Sequence, residues 1–135
     1  MRSVFADTLY WGAVVNPKDQ YQLQAAAASK KLTAVRLVST EEVLTELLDS
    51  LADRGPHLRA TGVAVVKRIM GQKNTLIVSQ SHNSFLAGLS LYERRTDKGY
   101  SLVDCISMET MRTRGIREVL TNDRHFEQEG FVCLL

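Results

Sequence analysis

No run in this chain approaches the ~18 consecutive apolar residues that a membrane-crossing helix needs, so a bilayer-spanning protein is not expected. The opening segment, "MRSVFADTLYW", lacks the long apolar stretch and small-residue cleavage site of a secretory leader, and a cytoplasmic location is the expectation. Two cysteines, Cys105 and Cys133, are too few for a disulfide framework and match no zinc-ligand spacing. Cys105 sits among apolar neighbours and reads as a small buried side chain. No G-x-S-x-G elbow is present, so His57, His82 and His125 have no serine nucleophile of that kind to serve. The G-x-x-x-x-G-K-[ST] loop of phosphate-cradling nucleotide enzymes is absent too. There is no internal repeat, low-complexity tract or linker.

What is present fits one domain over residues 1–135, a length that suits a single hydrophobic core. "SVFADT" carries a short apolar strand, Val4 to Ala6, ending on Asp7 and Thr8. "PKDQYQLQAAAASKKL" is rich in helix formers, with Pro17 placed for a first turn. "AVRLVS" reads as a second strand, Ala34 to Val38. Ser39 and Glu42 then form the S-x-x-E pattern of a capping box. The helix they open lines up Val43, Leu44, Leu47, Leu48 and Leu51 on one face, with Glu46 beside that stripe.

After the break at "DRGP", "HLRATGVAVVKRIMG" predicts a helix ending near Gly71, and "NTLIVS" a third strand. Helices are expected from about Ser81 to Arg95, and from an N-cap at Ser101 to a stop at Gly115. "EVLT" and "FVCLL" supply the last strands. Strands alternating with helices of this length imply an α/β domain with a mostly parallel sheet of about five strands.

Four acids share one kind of position in that scheme. Asp7 ends the first strand, and Asp123 follows the strand beginning at Glu118. Glu46 lies in the helix after the second strand, and Asp104 in the first turn after Ser101. In a parallel sheet, strand carboxyl ends and the starts of the following helices share one rim, where open α/β sheets bind ligands. Converging carboxylates repel one another. A hard divalent cation such as Mg²⁺ or Mn²⁺ relieves that repulsion, and it can activate water for attack on a phosphodiester. Each acid also has a plainer reading: a turn former at Asp7 or Asp123, a helix-dipole partner at Asp104, a solvated helix acid at Glu46. If the four do converge, the remaining surface carries 17 bases against 11 acids, a charge of +6 that favours a polyanion.

"FADT", "STEEVLTELL", "YSLVDCISMETM" and "VLTNDRHFEQEGF", in this order, resemble the PIN-domain ribonuclease family over nearly the whole chain. Asp7 and Thr8 match that family's strand-ending Asp followed by Thr or Ser. Glu46, preceded by Val43 and Leu44, matches its helix Glu. Ser101 and Asp104 match a Ser/Thr-x-x-Asp helix start, and Thr121, Asp123, His125 and Phe126 match a Thr-x-Asp-x-His-Phe segment.

The resemblance implies a Rossmann-like PIN domain and a divalent-metal endoribonuclease using Mg²⁺ or Mn²⁺. Asp7, Glu46 and Asp104 are the expected metal ligands, with Asp123 holding a metal-bound water or completing a second site. Thr8, Ser101 and Thr121 are expected to orient those groups through their hydroxyls. The partners implied are RNA, a second copy in a homodimer and the antitoxin of a toxin–antitoxin pair.

Two other functions fit the same residues: a PIN-like module that binds RNA or protein with little turnover, and a phosphohydrolase of small phosphate esters. Glu42, one turn before Glu46, is the alternative acid of its helix. His125 is expected to be a packed or loop residue and Asp97 a turn residue. Arg94, Arg95, Lys98 and Arg124 are expected near the rim, where bases position phosphates. Tyr10 and Trp11 either stack on an unpaired base or pack into the fold.

Overall fold

The structure, a computed structural model, describes all 135 residues. Its chain order is β1 (Arg2–Ala6), α1 (Thr8–Val15), α2 (Gln22–Lys31), β2 (Val35–Thr40), α3 (Glu41–Leu51), α4 (Pro56–Gly71), β3 (Thr75–Val78), α5 (His82–Arg94), α6 (Leu102–Thr113), β4 (Glu118–Leu120), α7 (Arg124–Gln128) and β5 (Val132–Cys133). The five strands form one sheet in the order β3-β2-β1-β4-β5, and every pairing is parallel. Strand β1 is central, with Val4, Phe5 and Ala6 shut off from solvent. A strand covered on both faces needs an unbroken apolar run rather than an alternating one, and "VFA" supplies it.

The order of strands fixes where a site can form. The chain moves outward from β1 through β2 to β3, then returns to lay β4 on the other flank of β1. Between β1 and β4 the winding direction reverses, and the switch in direction places a crevice outside their carboxyl ends. Phe5 pairs with Val119 and Ala6 with Leu120, so Asp7 and Thr121 leave the sheet side by side.

Helix α6 is aimed at this crevice by a reciprocal cap. Ser101 Oγ accepts from the Asp104 amide at 3.0 Å, while Asp104 Oδ2 accepts from the Ser101 amide at 3.2 Å. Gly115, at φ +66°, stops the helix in the left-handed conformation that glycine tolerates best. Helices α5 and α6 approach closely at Gly88, where an added Cβ would fall 2.4 Å from Ile106 Cγ1 and 3.2 Å from its backbone. No helix is long and apolar enough to cross a membrane.

Several local expectations are corrected. Pro17 lies in a turn, outside any helix, and α2 begins at Gln22. Residues Thr8–Val15 form a helix that was not expected, because its Tyr10, Trp11, Ala13 and Val15 are buried on several sides and leave no polar face. The expected capping box of Ser39 and Glu42 does not form. Strand β2 runs on to Thr40, whose Oγ1 caps α3 by accepting from the Val43 amide. Ser39 is buried instead, donating to the Ala6 carbonyl at 2.8 Å and accepting from Trp11 Nε1 at 3.3 Å. Trp11 and Tyr10 are thus core residues with no face free for a base, and the Tyr10 hydroxyl is paired with Ser29.

Candidate active site

Asp7 enters the crevice directly from the end of β1 and is 5% exposed. Thr121, leaving β4 beside it, donates its hydroxyl to Asp7 Oδ2 at 3.0 Å and accepts the Asp123 amide at 3.1 Å. One threonine therefore ties the first acid to the segment carrying the last. From the other flank, Thr8 Oγ1 donates to Glu46 Oε1 at 2.5 Å, drawing the α3 carboxylate towards the start of α1. Glu42 faces away, towards Ser84 of α5, so Glu46 is the acid of α3 that reaches the rim.

Asp123 caps α7, its Oδ1 accepting from the His125 amide at 3.0 Å. The same turn brings the His125 ring back over the acids, with Nδ1 3.3 Å from Asp104 Oδ2 and 3.3 Å from Asp123 Oδ1. Asp104, Asp123 and His125 offer donor atoms that all lie within 4.8 Å of one another. Asp7 is coupled by charge to this trio through Asp104, and Glu46 is coupled to Asp7. Asp104 and Glu46 both disfavour ionisation of Asp7, and Asp123 disfavours ionisation of Asp104.

The electrostatics disfavour carboxylates left bare at this rim. Burial, reinforced by the charges of Asp104 and Glu46, pushes the Asp7 carboxyl up to about 7, against the opposing pull of the Thr8 backbone and the Thr121 hydroxyl. Asp104 is raised as well, by burial first and then by Asp123, with the Ser101 amide and His125 opposing. No lysine or arginine pairs with any of the four acids. Buried carboxylates without such partners are costly, and an all-oxygen set beside one imidazole suits a hard divalent ion. The donor set fits Mg²⁺ or Mn²⁺ on chemical grounds.

His125 is the residue that sequence reasoning undervalued. It is neither a loop residue nor a bystander in the core: it stands in the first turn of α7 against two acids. The available signal was the Asp-x-His spacing, which puts a side chain back over its own cap when a helix starts at that Asp. Arg95 is corrected in the opposite sense, being taken up by Glu129, while Arg94 stays half-exposed with Glu109 3.7 Å away. Lys98 lies near Asp97, which is an exposed turn residue, while Arg124 is exposed with no acidic partner.

No family model matches the chain. Among curated proteins it is similar to the 23S rRNA-specific endonuclease VapC20 of Mycobacterium tuberculosis, found in two strains. The identity is 27% over 135 residues, covering 96% of this chain and 95% of the relative. The crystal structure of VapC20, described as a Sarcin-Ricin loop cleaving toxin, superposes with a TM-score of 0.86 at 23% identity over 96% of both chains. The likeness runs along nearly the whole chain and supports the PIN-domain resemblance carried by the motifs. A second solved structure, FitAcB from Neisseria gonorrhoeae, shares the fold at a TM-score of 0.61 and 15% identity, covering 96% of this chain and 94% of that one. The chain thus shares the VapC20 fold over 96% of its length, with a five-stranded parallel sheet flanked by seven helices.

Proposed function

We propose that this PIN domain is a divalent-metal-dependent endoribonuclease that hydrolyses RNA phosphodiester bonds, using Mg²⁺ or Mn²⁺ and acting as the toxin of a toxin–antitoxin pair. The observation that carries the reading is the gathering of Asp7, Glu46, Asp104 and Asp123 at the β1–β4 crevice with no lysine or arginine to neutralise them. Likeness to an rRNA endonuclease over 96% of the chain supports RNA as the substrate class, with a structured ribosomal RNA loop as the first candidate. A cytoplasmic location accords with that substrate, and a homodimer and a blocking antitoxin accord with the toxin reading.

A bound divalent ion supplies charge neutralisation at the phosphate and a water made acidic enough to attack phosphorus. The chain's own residues prepare the place. Asp7, Glu46, Asp104 and Asp123 are the carboxylates that would hold the ion, with His125 beside Asp104 and Asp123. Thr8 and Thr121 hold Glu46 and Asp7 by hydrogen bonds that free rotation would lose. The α6 cap fixes Asp104 Oδ2 against the Ser101 amide, and the same oxygen faces His125 Nδ1. Arg124, exposed beside Asp123, is placed to meet a phosphate oxygen and to position the strand rather than to read its bases.

The test is cleavage of an RNA panel, including ribosomal hairpins and single strands, with Mg²⁺, Mn²⁺ or EDTA. Wild type should cut only with metal, and Asp104→Asn should lose on the order of 100-fold, the upper end of what disturbing a metal site costs. Undiminished cutting in EDTA, or by Asp104→Asn, would overturn the reading. Metal binding without turnover on any RNA would favour a binding module, and turnover of small phosphate esters alone would favour a phosphohydrolase.

A further inference from the structure

Helix α7 spans five residues, yet it carries Asp123 at its cap and His125 in its first turn. A helix this short makes too few internal hydrogen bonds to hold its own direction, so its far end must be fixed from outside. Phe126 fixes one side by burial, its ring 6.3 Å from that of Phe131. The other fixture is Glu129. Its amide closes the helix on the carbonyls of His125 at 3.3 Å and Phe126 at 3.2 Å.

The Glu129 side chain is 5% exposed and fully engaged. It accepts from Arg95 Nε at 2.5 Å, from Tyr100 Oη at 3.2 Å and from an Arg112 guanidinium nitrogen. Burial alone would raise its carboxyl, but Arg95 and Arg112 reverse that and hold it below the ordinary glutamate value. Arg112 is itself fixed, by Glu109 at 3.1 Å and by the Phe131 ring 5.5 Å beneath its guanidinium. These partners sit in meaningful places. Arg112 is in the last turn of α6, whose first turn holds Asp104, and Tyr100 immediately precedes the Ser101 cap of that helix. The Tyr100 ring also lies 5.3 Å from that of His125.

We propose that Glu129 is a positioning residue whose buried carboxylate locks α7 to α6 and thereby sets the separation between Asp104 and the Asp123–His125 pair. It touches neither ion nor RNA. The proposal rests on the reading that these acids hold a divalent cation.

The experiment is calorimetric titration of the full chain with Mn²⁺ in the absence of RNA, alongside circular dichroism, thermal melting and cleavage at saturating Mn²⁺. Glu129→Gln keeps the shape and removes the charge. Arg95→Met removes one partner from the more exposed side, and it carries the test if Glu129→Gln does not fold. Folded variants should bind Mn²⁺ ~10-fold more weakly, as when groups behind a metal's ligands are disturbed, and should recover most of their cleavage rate once metal is saturating. Lowered melting temperatures with Mn²⁺ affinity within about twofold of wild type would reduce Glu129 to a structural ion pair and overturn the proposal. Wild type that binds Mn²⁺ but cuts no RNA would sink the nuclease reading alone, leaving the affinity comparison to decide on Glu129. Wild type that binds no Mn²⁺ would remove both.

Discussion

Burial lifts the Asp7 carboxyl from 3.8 to about 7, so the folded chain keeps a proton there at pH values where the unfolded chain has lost it. From about pH 4 to pH 7 the native state binds more protons than the unfolded state, and metal-free stability must fall as pH rises through that window. Below it both states are protonated and Asp7 contributes nothing. Above it both are ionised and the whole penalty stands, on the order of 4 kcal/mol for a three-unit shift. Asp7→Asn removes the ionisation. Its metal-free melting temperature should exceed that of wild type at pH 8 and approach it near pH 4, while metal-dependent cleavage falls on the order of 100-fold. Equal melting at pH 8 would show that Asp7 is not buried as a charge. At this scale the sequence was informative about type and weak about use. Strand-end position singled out Asp7 and Asp123, but nothing local revealed that Arg95 is consumed by an acid 34 residues away or that Trp11 hydrogen-bonds inside the core.

Elements were legible where a cap and a periodic face agreed. Helix α6 begins at its Ser101 cap and stops at Gly115, and α3 buries Val43, Leu44, Leu47 and Leu51 as its apolar stripe requires. Helices α1 and α7 were illegible for opposite reasons. The first has no polar face to give a period, and the second is too short to complete one. The capping error at Ser39 has a similar origin, since Ser39 and Thr40 both qualify and only the extent of β2 chooses between them. The α6 cap has a dual duty: it starts the helix and it holds Asp104. Ser101→Ala should cost ~1 kcal/mol of stability, the usual loss at such a cap, read as a lowered melting temperature. It should also weaken Mn²⁺ binding, because the Asp104 amide loses the hydroxyl that fixes the turn carrying its carboxylate. A stability loss with unchanged Mn²⁺ binding would assign Ser101 to the helix alone.

At the scale of the molecule, charge is segregated. The acids at the β1–β4 crevice sit in a chain whose overall charge is +2, so the surface beyond them is basic. Much of that basicity is internally committed, as Arg2 pairs with Glu118, Arg94 with Glu109, and Arg95 and Arg112 with Glu129. Arg124 is not. The KM for RNA should rise roughly tenfold or more between 50 and 200 mM salt if about three phosphates are contacted, and Arg124→Gln should flatten that slope with kcat little changed. A salt-independent KM would remove phosphate steering from the account.

Strands β1 and β4, neighbours in the sheet, lie at opposite ends of the chain, and the Thr121–Asp7 hydrogen bond spans 114 residues. In synthesis Asp7 precedes Thr121 by 114 residues, and Asp123 and His125 come later still. Until they emerge, the crevice has one wall. The acids made early wait as scattered surface groups, and a fragment ending before residue 121 lacks the means to assemble them. Strand order therefore works as a clock on synthesis: the site cannot assemble until its second wall is made, 114 residues after its first, by a machine whose own RNA is among the candidate substrates.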